Sequence, residues 1–237
     1  MKYEIFGGNL PAVTCQVKAD ETIKCTAGAM AWMTPGMKMD TESDTFGKMM
    51  GRMFSGDSLM HTHFSASKDS AITFSANYPG EIIPIELDGN AVIARQGAFL
   101  AADESVETGV YLQKKISSGL FSGQGFVLQK FSGKGTVLIT VQGSSAFFDL
   151  KEGESMTVSG GHLAMMDESC TFDIQMIKGA KNILFGNEGF AVITITGPGR
   201  VILQTMPSSN LKSAIGSDGS SSVSSGDSSS SSSSSSD

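Results

Sequence analysis

Cys15-Gln-Val-Lys-Ala-Asp-Glu-Thr-Ile-Lys-Cys-Thr-Ala-Gly-Ala-Met-Ala-Trp-Met33 aligns without a gap, at an offset of 133, with Phe148-Asp-Leu-Lys-Glu-Gly-Glu-Ser-Met-Thr-Val-Ser-Gly-Gly-His-Leu-Ala-Met-Met166. Val17 meets Leu150, Glu21 meets Glu154, Ile23 meets Met156 and Gly28 meets Gly161. Leu87-Asp-Gly-Asn-Ala-Val-Ile-Ala-Arg-Gln-Gly-Ala-Phe-Leu100 fits between them with one residue deleted, which sets Gly97 opposite Gly28 at an offset of 69. Internal similarity at a long, regular spacing is the mark of one structural unit used several times. Three copies are expected here.

A second block keeps step with the first. Phe54-Ser-Gly-Asp-Ser-Leu59, Phe121-Ser-Gly-Gln-Gly-Phe126 and Phe185-Gly-Asn-Glu-Gly-Phe190 recur at offsets of 67 and 64. Each is followed by a run rich in β-branched and aromatic residues with a turn in the middle: Phe64 to Phe74, Phe131 to Val141 and Ile195 to Thr205. Such runs predict hairpins. Asp20-Glu21, Asp88-Gly89 and Glu152-Gly153 predict a further hairpin turn in each copy. Phe46-Gly-Lys-Met-Met-Gly-Arg-Met-Phe54 is the best helix candidate, because Phe46, Met49, Met50, Met53 and Phe54 share one helical face.

A β unit of about 65 residues has a marginal core by itself and must bury its apolar side against its siblings. The predicted fold is therefore all-β: three tandem β repeats in a pseudo-threefold arrangement, each a small double-stranded β-helix or jelly-roll-like sandwich that leaves few open edges. The folded body is expected over residues 1–206, divided at approximately 1–80, 81–146 and 147–206. Beyond it, 15 of the 21 residues from Ser217 to Asp237 are serine, so residues 207–237 read as a disordered, Ser-rich acidic tail.

Composition narrows the function. The 237 residues are 40% hydrophobic and 17% charged, with 28 glycines, and carry a formal charge of −7. That charge repels a phosphate backbone, which excludes extended DNA binding and disfavours RNA. No apolar run is long enough for a signal h-region or a membrane-spanning helix, and three cysteines without CxxC spacing suit free thiols, so a cytoplasmic location is expected.

Gly28-Ala-Met-Ala-Trp-Met33 with Met37, Arg52-Met-Phe-Ser-Gly-Asp-Ser-Leu59, Tyr78-Pro-Gly-Glu-Ile-Ile-Pro-Ile-Glu-Leu87 and Phe121-Ser-Gly-Gln-Gly-Phe126 resemble the bacterial, archaeal and fungal family named after the yeast altered-inheritance-of-mitochondria protein 24. The resemblance spans about Met1 to Met206. It implies a three-module chain similar to a trimer of the tryptophan RNA-binding attenuator protein's β fold. It brings no catalytic residues to carry over.

The repeat bears on each candidate site. His61 and His63, two apart on a strand, project from one face and could share a metal ion. Cupins of the double-stranded β-helix class use such a pair, but Gly56 sits one residue too close and Ser67 and Lys68 stand where the carboxylate ligand belongs. His61 also aligns with Leu128 and Val192, and His63 with Lys130 and Thr194, which favours a partly buried strand histidine with an exposed neighbour. Cys15, Cys25 and Cys170 fall at apolar repeat positions and read as core residues. Cys15 and Cys25, symmetric about Asp20, could face each other across a hairpin. His162 has no nucleophile tied to it, so a hydrolase triad is unsupported. Lys48, Arg52, Lys114, Lys115, Lys178 and Lys181 precede the three Phe-Gly blocks and could form a positive collar that attracts an anion or acidic partner; solvated loop lysines are the plainer account. The many methionines between Met30 and Met60 fill a core or line an adaptable surface.

The expected function is a non-enzymatic scaffold or binding module for a protein or small ligand, with no cofactor and a homo-oligomer left open. The alternatives are a cupin-like metal binder or metal-dependent enzyme using His61 and His63, and RNA binding.

Overall fold

The computed structural model describes residues 1–40, 61–111, 127–176 and 191–207. Those residues form an all-β protein with no α-helix among them. The strands are β1 (Lys2–Phe6), β2 (Ala12–Val17), β3 (Thr22–Thr26), β4 (Met30–Met33), β5 (Met37–Asp40), β6 (His61–Ala66), β7 (Ser70–Ser75), β8 (Gly80–Asp88), β9 (Val92–Arg95) and β10 (Phe99–Asp103). They continue with β11 (Val106–Tyr111), β12 (Leu128–Gln142), β13 (Ser145–Leu150), β14 (Ser155–Ser159), β15 (Leu163–Asp167), β16 (Thr171–Met176), β17 (Ala191–Thr196) and β18 (Gly199–Gln204). No helix among the described residues is long and apolar enough to cross a membrane. The helix candidate Phe46 to Phe54 lies outside the described residues.

The strand pairings fall into several antiparallel sheets, and one pattern of partners returns three times. On one side β2 and β4 flank β7, β8 and β10 flank the second half of β12, and β13 and β15 flank β18. On the other, β3 and β5 flank β6, β9 and β11 flank the first half of β12, and β14 and β16 flank β17. The registers also correspond: Cys25 faces Thr62, Ala94 faces Gln129 and Val158 faces Ile193. A register irregularity sits between Met30 and Trp32, between Phe99 and Ala101, and between Leu163 and Met165.

Two seams join these groups. Ala101, Ala102 and Asp103 of β10 pair with Cys25, Lys24 and Ile23 of β3. Met165, Met166 and Asp167 of β15 pair with Ala94, Ile93 and Val92 of β9. At the two ends, β4 closes a four-stranded sheet ordered β1-β2-β7-β4, and β14 closes a three-stranded sheet ordered β14-β17-β16.

The expected hairpins are not formed. β2 does not pair with β3, nor β6 with β7, nor β17 with β18, and β12 runs unbroken from Leu128 to Gln142 through the turn expected at Gly133 and Gly135. Each turn instead hands the chain from one sheet to another. Asp20, Gly89 and Gly153 at the first of these corners all have left-handed φ, of 66°, 87° and 75°. That backbone conformation costs glycine least and asparagine or aspartate little more, so the local chemistry of a hairpin and of a sheet-switching corner is the same. Gly28 and Gly97 turn with φ of 80° and 84°, whereas Gly161 lies in the 3-10 turn Gly160–His162, a tighter route between corresponding strands.

Apolar residues collect in three clusters, and the seam strands β3, β9, β10 and β15 carry consecutive buried residues. The first holds Val13, Cys15, Phe64 and Phe74 and is completed by Leu100, Ala101 and Leu138 from the next group of strands. The second holds Ile85, Phe131 and Ile139 and is completed by Ala164, Met165 and Ile202. The third, around Val158, Phe172, Ile193 and Val201, borrows Ile93 and Leu128 from the group before it.

Candidate functional site

Two places concentrate chemistry that the fold alone does not need. The first is the seam between β3 and β10. Lys24 lies between His63 of β6 and Ala102 of β10 in the strand register. Only 7% of its surface is exposed, and its Nζ donates to the carbonyl of Glu104 at 3.1 Å and to that of Val106. Burial pushes the Lys24 ammonium below its ordinary value of 10.5, with Glu104 and Glu107 pulling the other way. His63 Nδ1 lies 2.9 Å from Glu104 Oε2 on the exposed side of Lys24's carbonyl partner. His61 is half-buried, its ring edge against Phe99 at 4.9 Å between centroids, with Nδ1 3.4 Å from Thr108 Oγ1. The two histidines are thus engaged by different residues of β10, β11 and the turn between them. Among the described residues no three of His, Cys, Asp and Glu gather as a metal shell.

The cysteines are buried and free. Burial pushes the thiols of Cys15 and Cys25 up to about 12, and that of Cys170 up as well, so none is a ready thiolate. Cys15 and Cys25 sit on strands of different sheets and do not face each other across a hairpin. His162 Nδ1 lies 2.7 Å from the Gln204 carbonyl oxygen, a contact within the last group of strands. Asp103 and Asp167 accept the backbone N–H of Thr136 and Arg200, as Thr34 Oγ1 accepts that of Ala71 at the corresponding place. Lys48, Arg52, Lys114, Lys115, Lys178 and Lys181, the collar expected from the sequence, all lie outside the described residues.

The second place is the outer edge of β4. Trp32 is 56% exposed and Met33 38% exposed, whereas Ala101 and Ala102 of β10 and Met165 and Met166 of β15, which occupy the corresponding positions, are fully buried. The Phe6 ring lies 6.3 Å from the Trp32 ring, and Phe6 is itself 41% exposed. Met30 is half-buried and Met37 buried, while Met39 is exposed, so the methionine-rich stretch serves both core and surface. Among the described residues no strand pairs with this edge, so exposed aromatic and sulfur-bearing side chains border an open strand. The sequence left the methionines of Met30 to Met60 open between core and surface, because Met-Ala-Trp-Met has the composition of a core strand.

A model of the family described as mitochondrial biogenesis AIM24 matches residues 3–206. The chain belongs to that family. An uncharacterised protein of Streptococcus pyogenes serotype M6 is 27% identical to this AIM24 chain over 204 residues, covering 83% of it and 82% of the relative. An X-ray crystal structure of a protein from Streptococcus pyogenes superposes with a TM-score of 0.78 at 24% identity, covering 92% of this chain and 99% of that one. At that identity the likeness speaks for the shared β fold. The family expected from the Gly28 to Met33, Arg52 to Leu59 and Tyr78 to Leu87 motifs is the one that the match identifies.

Proposed function

We propose that this AIM24 chain is a non-enzymatic scaffold or binding module, built from three tandem β units of the double-stranded β-helix or attenuator-protein-like kind and working through the apolar edge of its first unit. The threefold return of strand partners, registers and irregularities supports three units at about 1–80, 81–146 and 147–206, in a pseudo-threefold course whose first two seams are sheet pairings. A folded body ending near residue 206, a Ser-rich tail beyond it and a cytoplasmic setting complete the reading; three free buried thiols suit such a reducing compartment.

The observation that carries the proposal is the contrast at one strand position. Where two units present small or buried residues, the first presents Trp32 and Met33 to solvent. Among the described residues, Lys24 is held by backbone carbonyls, Asp103 and Asp167 by backbone amides, and the cysteines lie in the core. Trp32 is the single tryptophan of the chain, so its fluorescence reports on this edge alone. In dilute protein its emission is expected near that of a solvated indole and open to acrylamide quenching. An indole shielded from acrylamide in the monomer would refute the binding edge.

A further inference from the structure

We propose that the partner of the β4 edge is a second copy of this chain, which docks the outer edge of its β14 strand and pairs Trp32 with Val158, Met33 with Thr157 and Thr34 with Met156. The inference rests on the three-unit reading above and deepens it. In each internal seam, the strand in the place of β4 from one unit pairs antiparallel with the strand in the place of β3 from the unit before it. Thus Ala101 meets Cys25 in the first seam and Met165 meets Ala94 in the second. Carrying those registers forward by the repeat offsets gives the three pairs named, and both strands needed for a third seam are present, with no strand among the described residues on the outer edge of either.

Four observations converge on this occupant. First, the internal seams unite half-sheets into continuous ones, β8-β12-β10 with β3-β6-β5 and β13-β18-β15 with β9-β12-β11; among the described residues two complementary half-sheets are left over, β1-β2-β7-β4 and β14-β17-β16. Second, the third apolar cluster receives, among the described residues, nothing that corresponds to the Leu100, Ala101 and Leu138 of the first or the Ala164, Met165 and Ile202 of the second. Its deficit is visible at Phe148, 41% exposed, where the corresponding Cys15 and Ile85 are 0% and 2% exposed. Third, the surplus lies at the other end, in Trp32 and Met33. Fourth, none of the nine residues of β4 and β14 is charged or proline, the usual guards of a strand edge that must stay unpaired. An edge that fits a different edge of the same molecule makes a head-to-tail contact, which builds a ring where the rotation closes and a filament where it does not.

The test uses the full chain. Met33→Cys and Thr157→Cys proteins are purified separately, mixed and mildly oxidised; directly opposed residues of an antiparallel pair lie within disulfide reach. A covalent dimer is expected from that mixture and not from Met33→Cys mixed with Val158→Cys, whose side chain faces the other way. Wild-type mass by light scattering should rise with concentration, and Met33→Lys or Trp32→Lys should weaken association by about tenfold or more. Either lysine variant that keeps the wild-type circular dichroism spectrum suffices. An internal disulfide in monomeric Met33→Cys/Thr157→Cys protein would overturn the second copy in favour of closure within one chain. A monomer at every concentration with a quenchable Trp32 would overturn self-association and leave the edge to another partner. A monomer with a shielded Trp32 would overturn both this inference and the binding edge.

Discussion

β4 and β15 occupy corresponding places in the sheet, carry the same irregularity after their first residue and both end in methionine-rich sequence, yet one is open and the other sealed. Met33 is 38% exposed and Met166 fully buried, although each pairs through its strand with the corresponding position of a neighbour, Ile72 or Val201. The difference is the second neighbour: β15 has β9 on its far side, and β4 has none among the described residues. At these two positions burial follows from the second strand neighbour more than from the identity of the side chain.

The sharpest way to break that contrast is to place the same charge at both methionines. Met166→Lys buries an unpaired ammonium in a sealed seam and should cost about 3–5 kcal/mol, enough to unfold many domains of this kind. Met33→Lys, measured below the association range, should change stability by no more than ~0.5 kcal/mol. Urea denaturation of the two variants makes the comparison; equal losses would mean that β4 is already covered.

A smaller effect sharpens it at the opposite end. Ile85→Ala should cost about 2–5 kcal/mol because the site is filled on all sides, while Phe148→Ala should cost roughly 1 kcal/mol or less in dilute protein, despite removing more atoms. Thermal or urea unfolding reads both. A larger loss at residue 148 than at residue 85 would contradict the missing-neighbour explanation.

pH separates the polar content of the first seam from the apolar core around it. The folded pKa of Lys24 lies below 10.5, so between the two values the unfolded chain holds more protons and the Lys24 contribution to stability grows as pH rises. The thiols work in the opposite direction. Cys15 and Cys25 move from 9.0 to about 12, so their contribution is complete below pH 9 and declines as pH rises towards 12. Urea midpoints followed up to pH 10 should shift in favour of wild type over Lys24→Met, and in favour of Cys15→Ala over wild type once pH 9 is passed. Parallel profiles would remove the buried lysine and thiols from the account.

The sequence made the strand correspondence legible because the markers are spaced evenly: Gly28, Gly97 and Gly161 all fall in the turn before the strand that carries Trp32, Ala101 or Met165. It misled on hairpins, since a left-handed Asp20, Gly89 or Gly153 suits a corner between sheets as well as a tight turn within one. It also left the candidate surface hidden. The residues of Met30 to Met33 resemble those of Leu163 to Met166, and what differs among the described residues is the strand on the far side, present for the second set and not for the first. Lys24 gave no sign either, because its counterparts Ile93 and Thr157 are uncharged and its carbonyl partners come from a turn 80 residues away.

Amide hydrogen exchange followed against protein concentration tests the central claim most directly, since it reads all three seams in one sample. Amides of residues 31–34 and 155–158 that point away from β7 and β17 should exchange quickly in dilute protein and become protected together as concentration rises, while the seam amides of 100–103 and 164–167 stay protected throughout. Exchange at residues 31–34 and 155–158 that is independent of concentration would contradict the account.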